Sequence, residues 1–366
     1  IQGQDANIPE TVTINGKTYT VTEIGTSAFW GCGKLTTVTM PKVTTIGDVA
    51  FSGCGGLKNV DIPEVTTIGG GAFSYCRGLA NVELPKVTTI GDYAFSSCYG
   101  LTNITLPKVK TMGGFAFYEC EGLKTVTMPN VTTIGNSAFY GCGGLTSVDM
   151  SAVMTIGEGV FYNCGKLTTV KMPNVTTIEN KAFSYCRGLE NVNLPEVTTI
   201  GDGAFDGCSG LKTVKMPNVT TIGGTAFYGC GELENVDISG VETIGGFAFS
   251  KCGKLTTVKM PNVTTIGDAT FYQCGGLKTV TMKKVTTIGD KAFCGCIKLE
   301  SVDIWGVETI GKQAFYYCTS LTENGIIVGD KEKVDEILKQ VEDDNFYLDD
   351  SSSYDSDDSS FFDFDD

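Results

Sequence analysis

An isoleucine stands at position 24 and at every twenty-second residue after it up to 310, replaced once by Met112. Such a period leaves little freedom: the chain is one short unit copied in tandem, and its fold must stack the copies. The shared template reads I-G-x-x-A-F-x-x-C-x-x-L-x-x-V-x-[MIL]-P-x-V-T-T. Its apolar columns, which begin at Ile24, Ala28, Phe29, Cys32, Leu35, Val38, Met40 and Val43, are too many and too close for one helix or strand to hide alone. Each unit is therefore one coil of a solenoid, and neighbouring coils share a core.

Within the coil, Leu35 to Met40 carries the period-2 pattern of a strand, with Val38 and Met40 inward and Thr37 and Thr39 outward. Parallel, in-register pairing of these strands would stack the coils at roughly 4.8 Å. Gly25 fits a tight corner, and Ala28-Phe29 a short 3₁₀ or helical turn that plugs the ring into the core. The expected fold class is a β-rich repeat solenoid of about fourteen 22-residue coils with one parallel strand face, capped at both ends. Residues 1–23 are expected to form a capping hairpin, since Thr11 to Val21 alternates about Asn15-Gly16 and would cover the first coil. Residues 24–321 form the array, and 322–341 a second cap: a strand over Ile326 to Val328, then a helix with Val334, Ile337, Leu338 and Val341 on one face. Residues 342–366 read as an acidic, disordered tail.

The L-x-x-V-x-[MIL] core joined to A-F-x-x-C resembles the BspA-like, Treponema-type leucine-rich repeat family from about Val12 to Leu321. The resemblance implies a leucine-rich repeat fold. It also implies a secreted or cell-surface bacterial protein, adhesin-like, with a host matrix or cell-surface protein as partner.

Composition narrows the chemistry. The chain has no histidine, which removes histidine-based triads, Cys/His dyads and His-containing zinc sites. Eleven of the acidic residues lie between Glu342 and Asp366 with no basic one, so taking them from the net −15 leaves −4 over residues 1–341. No basic footprint for nucleic acid is present. No apolar run reaches the roughly 18–20 residues of a membrane span. Ile1 reads as the start of a processed chain, with any export signal outside this sequence.

Fourteen of the 15 cysteines form one column from Cys32 to Cys318. A line of single thiols cannot surround a metal ion, so no metal or cofactor is expected, and parallel Cβ vectors argue for free thiols. Cys294 stands off the column and is expected to be exposed.

Two surfaces are candidates for binding. On the strand face the varying positions are Asn59, Asp61, Asn81, Glu83, Asp149, Lys171, Lys215, Asp237, Lys259 and Asp303. Stacking should let Lys215, Asp237 and Lys259 neutralise one another, whereas Asp61 beside Glu83 places like charges together and asks for a cation or a basic ligand group. A second stripe follows the buried Phe by one residue: Trp30, Tyr118, Tyr140, Tyr162, Tyr228, Tyr272 and Tyr316. Aromatics at an exposed corner suit sugar stacking or protein recognition, and equally packing along the rod. The outward T-x-T pairs are too irregular for an ice lattice, and the Asn-Val-Thr sequons at Asn130, Asn174, Asn218 and Asn262 recur because the repeat does. No coil concentrates an acid, a base and a nucleophile. The expected function is therefore a non-enzymatic protein-recognition scaffold, against a structural spacer or a carbohydrate-binding module on the tyrosine stripe.

Overall fold

The computed structural model describes residues 5–327 and 331–341. It is a solenoid of two parallel ladders. Strands of three residues, from Thr37–Thr39 to Ser301–Asp303, build the strand face, and two-residue strands, from Glu23–Ile24 to Thr309–Ile310, build a second ladder. Pairing is parallel and in register, each residue opposite the one 22 positions on, as in Thr37↔Asn59 and Ile46↔Ile68. Val38 and Met40 are buried, and their outward neighbours Thr37 and Thr39 are not.

Between the ladders runs the corner G-x-x-A-F-x-x-C. It is a chain of turns closed by i→i+3 bonds, such as Ala28 N to Gly25 O and Cys32 N to Phe29 O, rather than a regular 3₁₀ or helical segment. Left-handed residues recur within it, Ser27 at φ 58° and Gly31 at 68°, and each breaks the helical path. This geometry aims every Phe of the template at the core. Fourteen rings, from Phe29 to Phe315, form one unbroken stack with centroids 4.9–5.6 Å apart and planes within 13°.

The coils also touch at the glycine after each isoleucine. A Cβ on Gly47 would lie 2.9 Å from the Ile24 carbonyl oxygen, and one on Gly135 2.3 Å from the Gly114 nitrogen. Glu179 is the exception in this column.

The ends differ from expectation. The hairpin forms, Thr11–Ile14 against Lys17–Thr20, but all eight of its residues are exposed. The first strand of the face is covered instead by Asp5–Asn7, which pairs with Thr37–Thr39 in parallel. A hairpin spends its hydrogen bonds on itself, so an open parallel edge needs a strand of its own direction. At the corner the first coil stays open: Ala28 is exposed and Phe29 only half-buried. At the far end Ile326–Ile327 pairs with the last face strand, Val328 lies outside the described residues, and the helix Lys331–Val341 buries Val334 and Ile337. The helix is pinned by Lys333, which donates to the Val307 carbonyl, and by Gln340, which accepts from Phe315 N at 3.3 Å and donates to Gly311 O at 3.2 Å. The acidic tail lies outside the described residues.

Phe161→Ala, in mid-rod, should cost about 3–5 kcal/mol by opening a gap between Phe139 and Phe183. Phe29→Ala, at the open end, should cost far less. Urea unfolding of the two variants checks the contrast, and equal losses would mean that the stack does not hold the rod together.

Candidate functional site

Most polar side chains on the corners serve the stack. Thr44 Oγ1 donates to Thr22 O at 3.2 Å, and Asp48 Oδ1 accepts from Gly70 N at 2.7 Å. Asn130, Asn174, Asn218 and Asn262 each donate a side-chain amide to a carbonyl of the preceding coil, at 2.6–2.9 Å. The sequon asparagines thus bind backbone. Their spacing of 44 residues is two coils.

The cysteine column has the same kind of role. From Cys54 to Cys318 each thiol donates to the Phe carbonyl one coil back, Sγ···O 3.0–3.3 Å. All 15 cysteines are free. Burial raises these thiols from their ordinary value of 9.0, Cys54 to about 11 and Cys120 to about 12. Cys294, expected at the surface, is buried, and burial pushes its thiol up to about 11. Its column neighbours one coil to either side are the bulky Tyr272, half-buried, and Tyr316, buried.

The same packing changes the aromatic stripe. Trp30, on the open first coil, is 67 % exposed, but Tyr118, Tyr140, Tyr162, Tyr228 and Tyr272 are half-buried and Tyr316 is 2 % exposed. Tyr118, Tyr140 and Tyr162 stack on one another at 5.1 and 4.6 Å, and Tyr93, Phe115 and Tyr185 extend the contact at either end. Rings stacked face to face show their edges outward. A sugar needs a free ring face, so this stripe is chiefly packing along the rod. Tyr228 lies under Lys251 Nζ at 5.2 Å.

In the same column Asp206 replaces the serine or tyrosine of other coils. Burial pushes its carboxyl up to about 6, against the pull of Lys181 and of the Gly207 N–H.

The strand face is different. Its candidate residues are exposed, apart from half-buried Asp303. Lys171 Nζ pairs with Asp149 Oδ2 at 2.9 Å, and the Ser151 hydroxyl, with Lys171 after it, holds the Asp149 carboxyl below the usual carboxylate range. The expected mutual neutralisation of Lys215, Asp237 and Lys259 does not occur: no ion pair among the described residues joins them. The ladder breaks between Asn235–Val236 and Thr257–Lys259, and the Asp237 carboxylate turns to accept from Ser239 N at 3.0 Å. It breaks also between Asn59–Asp61 and Asn81–Glu83, at the like-charged pair, and between Thr169–Lys171 and Asn191–Asn193. Asn81 Oδ1 accepts from Thr102 at 3.5 Å, Asp303 accepts from Trp305 N at 3.2 Å, and Asn59 lines the face beside Asp61. Among the described residues no group of three or more His, Cys, Asp or Glu could hold a metal ion.

A family model, the BspA type leucine-rich repeat region, matches residues 10–113, 88–212 and 198–322. The chain belongs to the BspA-type leucine-rich repeat family. A leucine-rich repeat protein from Bacteroides ovatus is 32 % identical, with a TM-score of 0.67, over 82 % of this chain and 86 % of that one. A leucine-rich cell surface protein from Faecalibacterium prausnitzii is 28 % identical over 92 % and 90 %, TM-score 0.46, and the leucine-rich repeat protein of T. pallidum is 29 % identical over 51 % and 78 %, TM-score 0.38. A comparison with curated proteins gave no match. BspA-type repeats are interaction scaffolds, and this chain has their solenoid.

Sequence reasoning passed over three surface residues. Trp305 is 72 % exposed where most coils carry proline, Met154 is 62 % exposed where most carry threonine, and Ile297 is exposed after the cysteine column. The signal was available: each is a large apolar residue in a column that is otherwise small or polar.

Two predictions concern titration. A buried thiol raised above its unfolded value stabilises the fold fully below about pH 9, and that contribution is lost as pH climbs through 11 to 12. Thermal midpoints should hold to about pH 9 and then fall, and native alkylation at lower pH should label one thiol, half-buried Cys32. Labelling of Cys294 in the folded chain would contradict the burial. Asp206 is raised instead towards about 6, so its ionisation weakens the fold above that pH. Asp206→Ser, the residue of the neighbouring coil at Ser184, should stabilise by about 1 kcal/mol at pH 7 and gain nothing below about pH 4. Melts at the two pH values decide it.

Proposed function

We propose that this chain is a protein-recognition scaffold whose strand face holds a macromolecular ligand, most simply another protein. One observation carries the reading. Corner residues such as Thr44, Asp48, Asn130 and Cys54 are committed to the neighbouring backbone, whereas Asp61, Glu83, Lys215 and Lys259 project from the face with no ion pair among the described residues. Their identities vary from coil to coil on a backbone that does not, which is the economy of a recognition surface: fixed geometry, variable chemistry. The charges change in sign along the rod, acidic at Asp61 and Glu83 and basic at Lys215 and Lys259. Such a pattern steers and orients a partner more than it tightens binding. Family membership supports a secreted or surface-exposed setting, with an adhesin-like role toward host matrix or cell-surface proteins.

A catalytic reading finds no support in this site, since the face is open and its acids and lysines are spread over separate coils. A carbohydrate-binding reading would rest on Tyr118, Tyr140 and Tyr162, whose faces are taken up by one another.

The test is a binding screen of the purified chain against matrix proteins, a glycan array and itself. Saturable binding to a protein is expected, weakened about tenfold in Asp61→Ala with Glu83→Ala, or in Lys215→Ala with Lys259→Ala, at an unchanged melting temperature. Self-association alone would replace the reading by a structural spacer. A glycan signal lost in the triple Tyr118, Tyr140 and Tyr162 alanine variant would replace it by a carbohydrate-binding module.

A further inference from the structure

The second ladder has one interruption among the described residues. It runs unbroken from Glu23–Ile24 to Thr133–Ile134 and again from Thr155–Ile156 to Thr309–Ile310, and the two stretches do not pair. On either side the connection is regular. Thr132 N donates to Lys110 O at 3.0 Å and Thr176 N to Met154 O at 2.8 Å, while Gly135 N donates to Met112 O and Glu179 N to Ile156 O at 2.8 and 2.9 Å. At the seam the equivalent bonds, Met154 N to Thr132 O and Gly157 N to Ile134 O, are missing; Thr264 N to Glu242 O and Gly267 N to Ile244 O are missing too, but there the strands still pair at Ile244 and Ile266. Two donors and two acceptors of the main chain are left without a protein partner.

The sequence departs from its template at the same place. Ser151-Ala152 stands for the usual proline followed by asparagine, lysine or glutamate, and Met154 stands for threonine. Ala152 cannot make the amide-to-carbonyl bond of Asn130 and Asn174, and Met154 cannot make the hydroxyl-to-carbonyl bond of Thr132 and Thr176. Both missing side chains are ones that elsewhere tie a coil to the coil before it.

What opens is a shallow groove. Two adjoining depressions of about 500 and about 420 Å³ share Ala152 and Met154, and a third of about 220 Å³ shares Glu179 with the second. Its floor is Ile134, Ala152 and the exposed Met154, and its rim carries Glu158, Glu179 and Glu196. No lysine or arginine lines any of the three, and no ion pair among the described residues engages these carboxylates. Lys181, two residues from Glu179, acts instead on Asp206. From the row of Thr132 to the row of Thr199 is three coil steps, about 14 Å, the reach of about four residues of extended chain.

We infer that this seam is a docking groove for an extended basic segment of a partner protein. An apolar side chain of that segment packs on Met154 and Ala152. Flanking lysines or arginines meet Glu158, Glu179 and Glu196, and where the segment crosses the seam its main chain offers hydrogen-bond partners to the peptide groups that the broken ladder leaves open. The groove lies on the second ladder, away from the strand face, and the inference is independent of the function proposed above.

The test uses the full chain and a fluorescein-labelled peptide of alternating lysine and leucine, with a glutamate-for-lysine counterpart, followed by anisotropy at about 150 mM salt. The decisive variant is Ala152→Asn with Met154→Thr, which restores the repeat and so should fold at least as well as the parent. It is expected to weaken the basic peptide about tenfold, and Glu179→Gln with Glu196→Gln to weaken it severalfold. Asp61→Asn with Glu83→Gln, an equal loss of charge elsewhere, should leave affinity within about twofold. Hydrogen exchange should find the Met154 and Gly157 amides fast in the free chain and protected by the peptide. The inference is overturned if the peptide does not bind, if the restored variant binds as the parent does, or if the strand-face control loses as much, which would mean attraction to an acidic chain in general. Slow exchange of both amides in the free chain would also overturn it.

Discussion

A side chain in this molecule must tolerate a copy of itself, or of whatever shares its column, about 4.8 Å away on each side. That constraint decides what each column can hold. Phenylalanine satisfies it by parallel stacking, at 5.3 Å between Phe51 and Phe73. Threonine and asparagine satisfy it by reaching back to the preceding backbone, and cysteine by a thiol short enough to sit under the next turn and still bond the Phe carbonyl. Serine pairs with serine, Ser74 Oγ to Ser52 Oγ at 2.8 Å. Charge is the one property that cannot be copied freely. Where charged side chains of neighbouring coils do meet they are of opposite sign, Lys86 on Glu64, Lys212 on Glu190 and Lys254 on Glu232, all exposed pairs worth at most about 1 kcal/mol each.

The period, the inward columns and the strand face were legible because each is a repeated apolar choice, and fourteen copies leave no ambiguity of register; the second ladder, two residues per coil, is too short to show an alternation and was not read. What escaped is whatever depends on three coils at once. Cys294 and Tyr316 occupy a column that looks like surface in a single unit and becomes a lined pocket only when the neighbouring coils are placed. The charge relation of Lys215, Asp237 and Lys259 was inferred from an ideal ladder, and the real one breaks where Asp237 turns toward Ser239. The exposed aspartates at Asp48, Asp92 and Asp202, which the sequence reading did not single out, are acceptors for the next coil's peptide nitrogen, at 2.7–2.8 Å. The hairpin was read correctly as local structure, and its role as a cover was not, since covering an edge is a matter of strand direction that local alternation does not encode.

The same logic separates the parts of the surface. Columns that stitch coils together are fixed by stability, so their composition says nothing of a ligand. The outward strand positions carry little of that duty, and their variation is free to serve recognition. The tyrosine run from Tyr118 to Tyr162 belongs to the first class despite its sugar-site appearance, because the ring faces a ligand would need are already used.

Departures from the template then become the informative residues. A buried or half-buried peptide group left unpaired costs about 1–3 kcal/mol, and the seam at Met154 leaves several. Two substitutions, to residues the chain uses in the neighbouring coils, would restore the side-chain ties that are missing there. Copying a coil is the easiest change available to a tandem array, and it tends to erase such a fault. This fault instead coincides with an exposed methionine, a missing side chain at Ala152 and a glutamate at 179, where the column otherwise holds glycine: three departures in one short stretch. The same columns depart from the template elsewhere, at Gly240 with Glu242 and at Gly306 with Glu308, without interrupting the ladder, so the apolar Met154 and the glutamate at 179 are what set this seam apart.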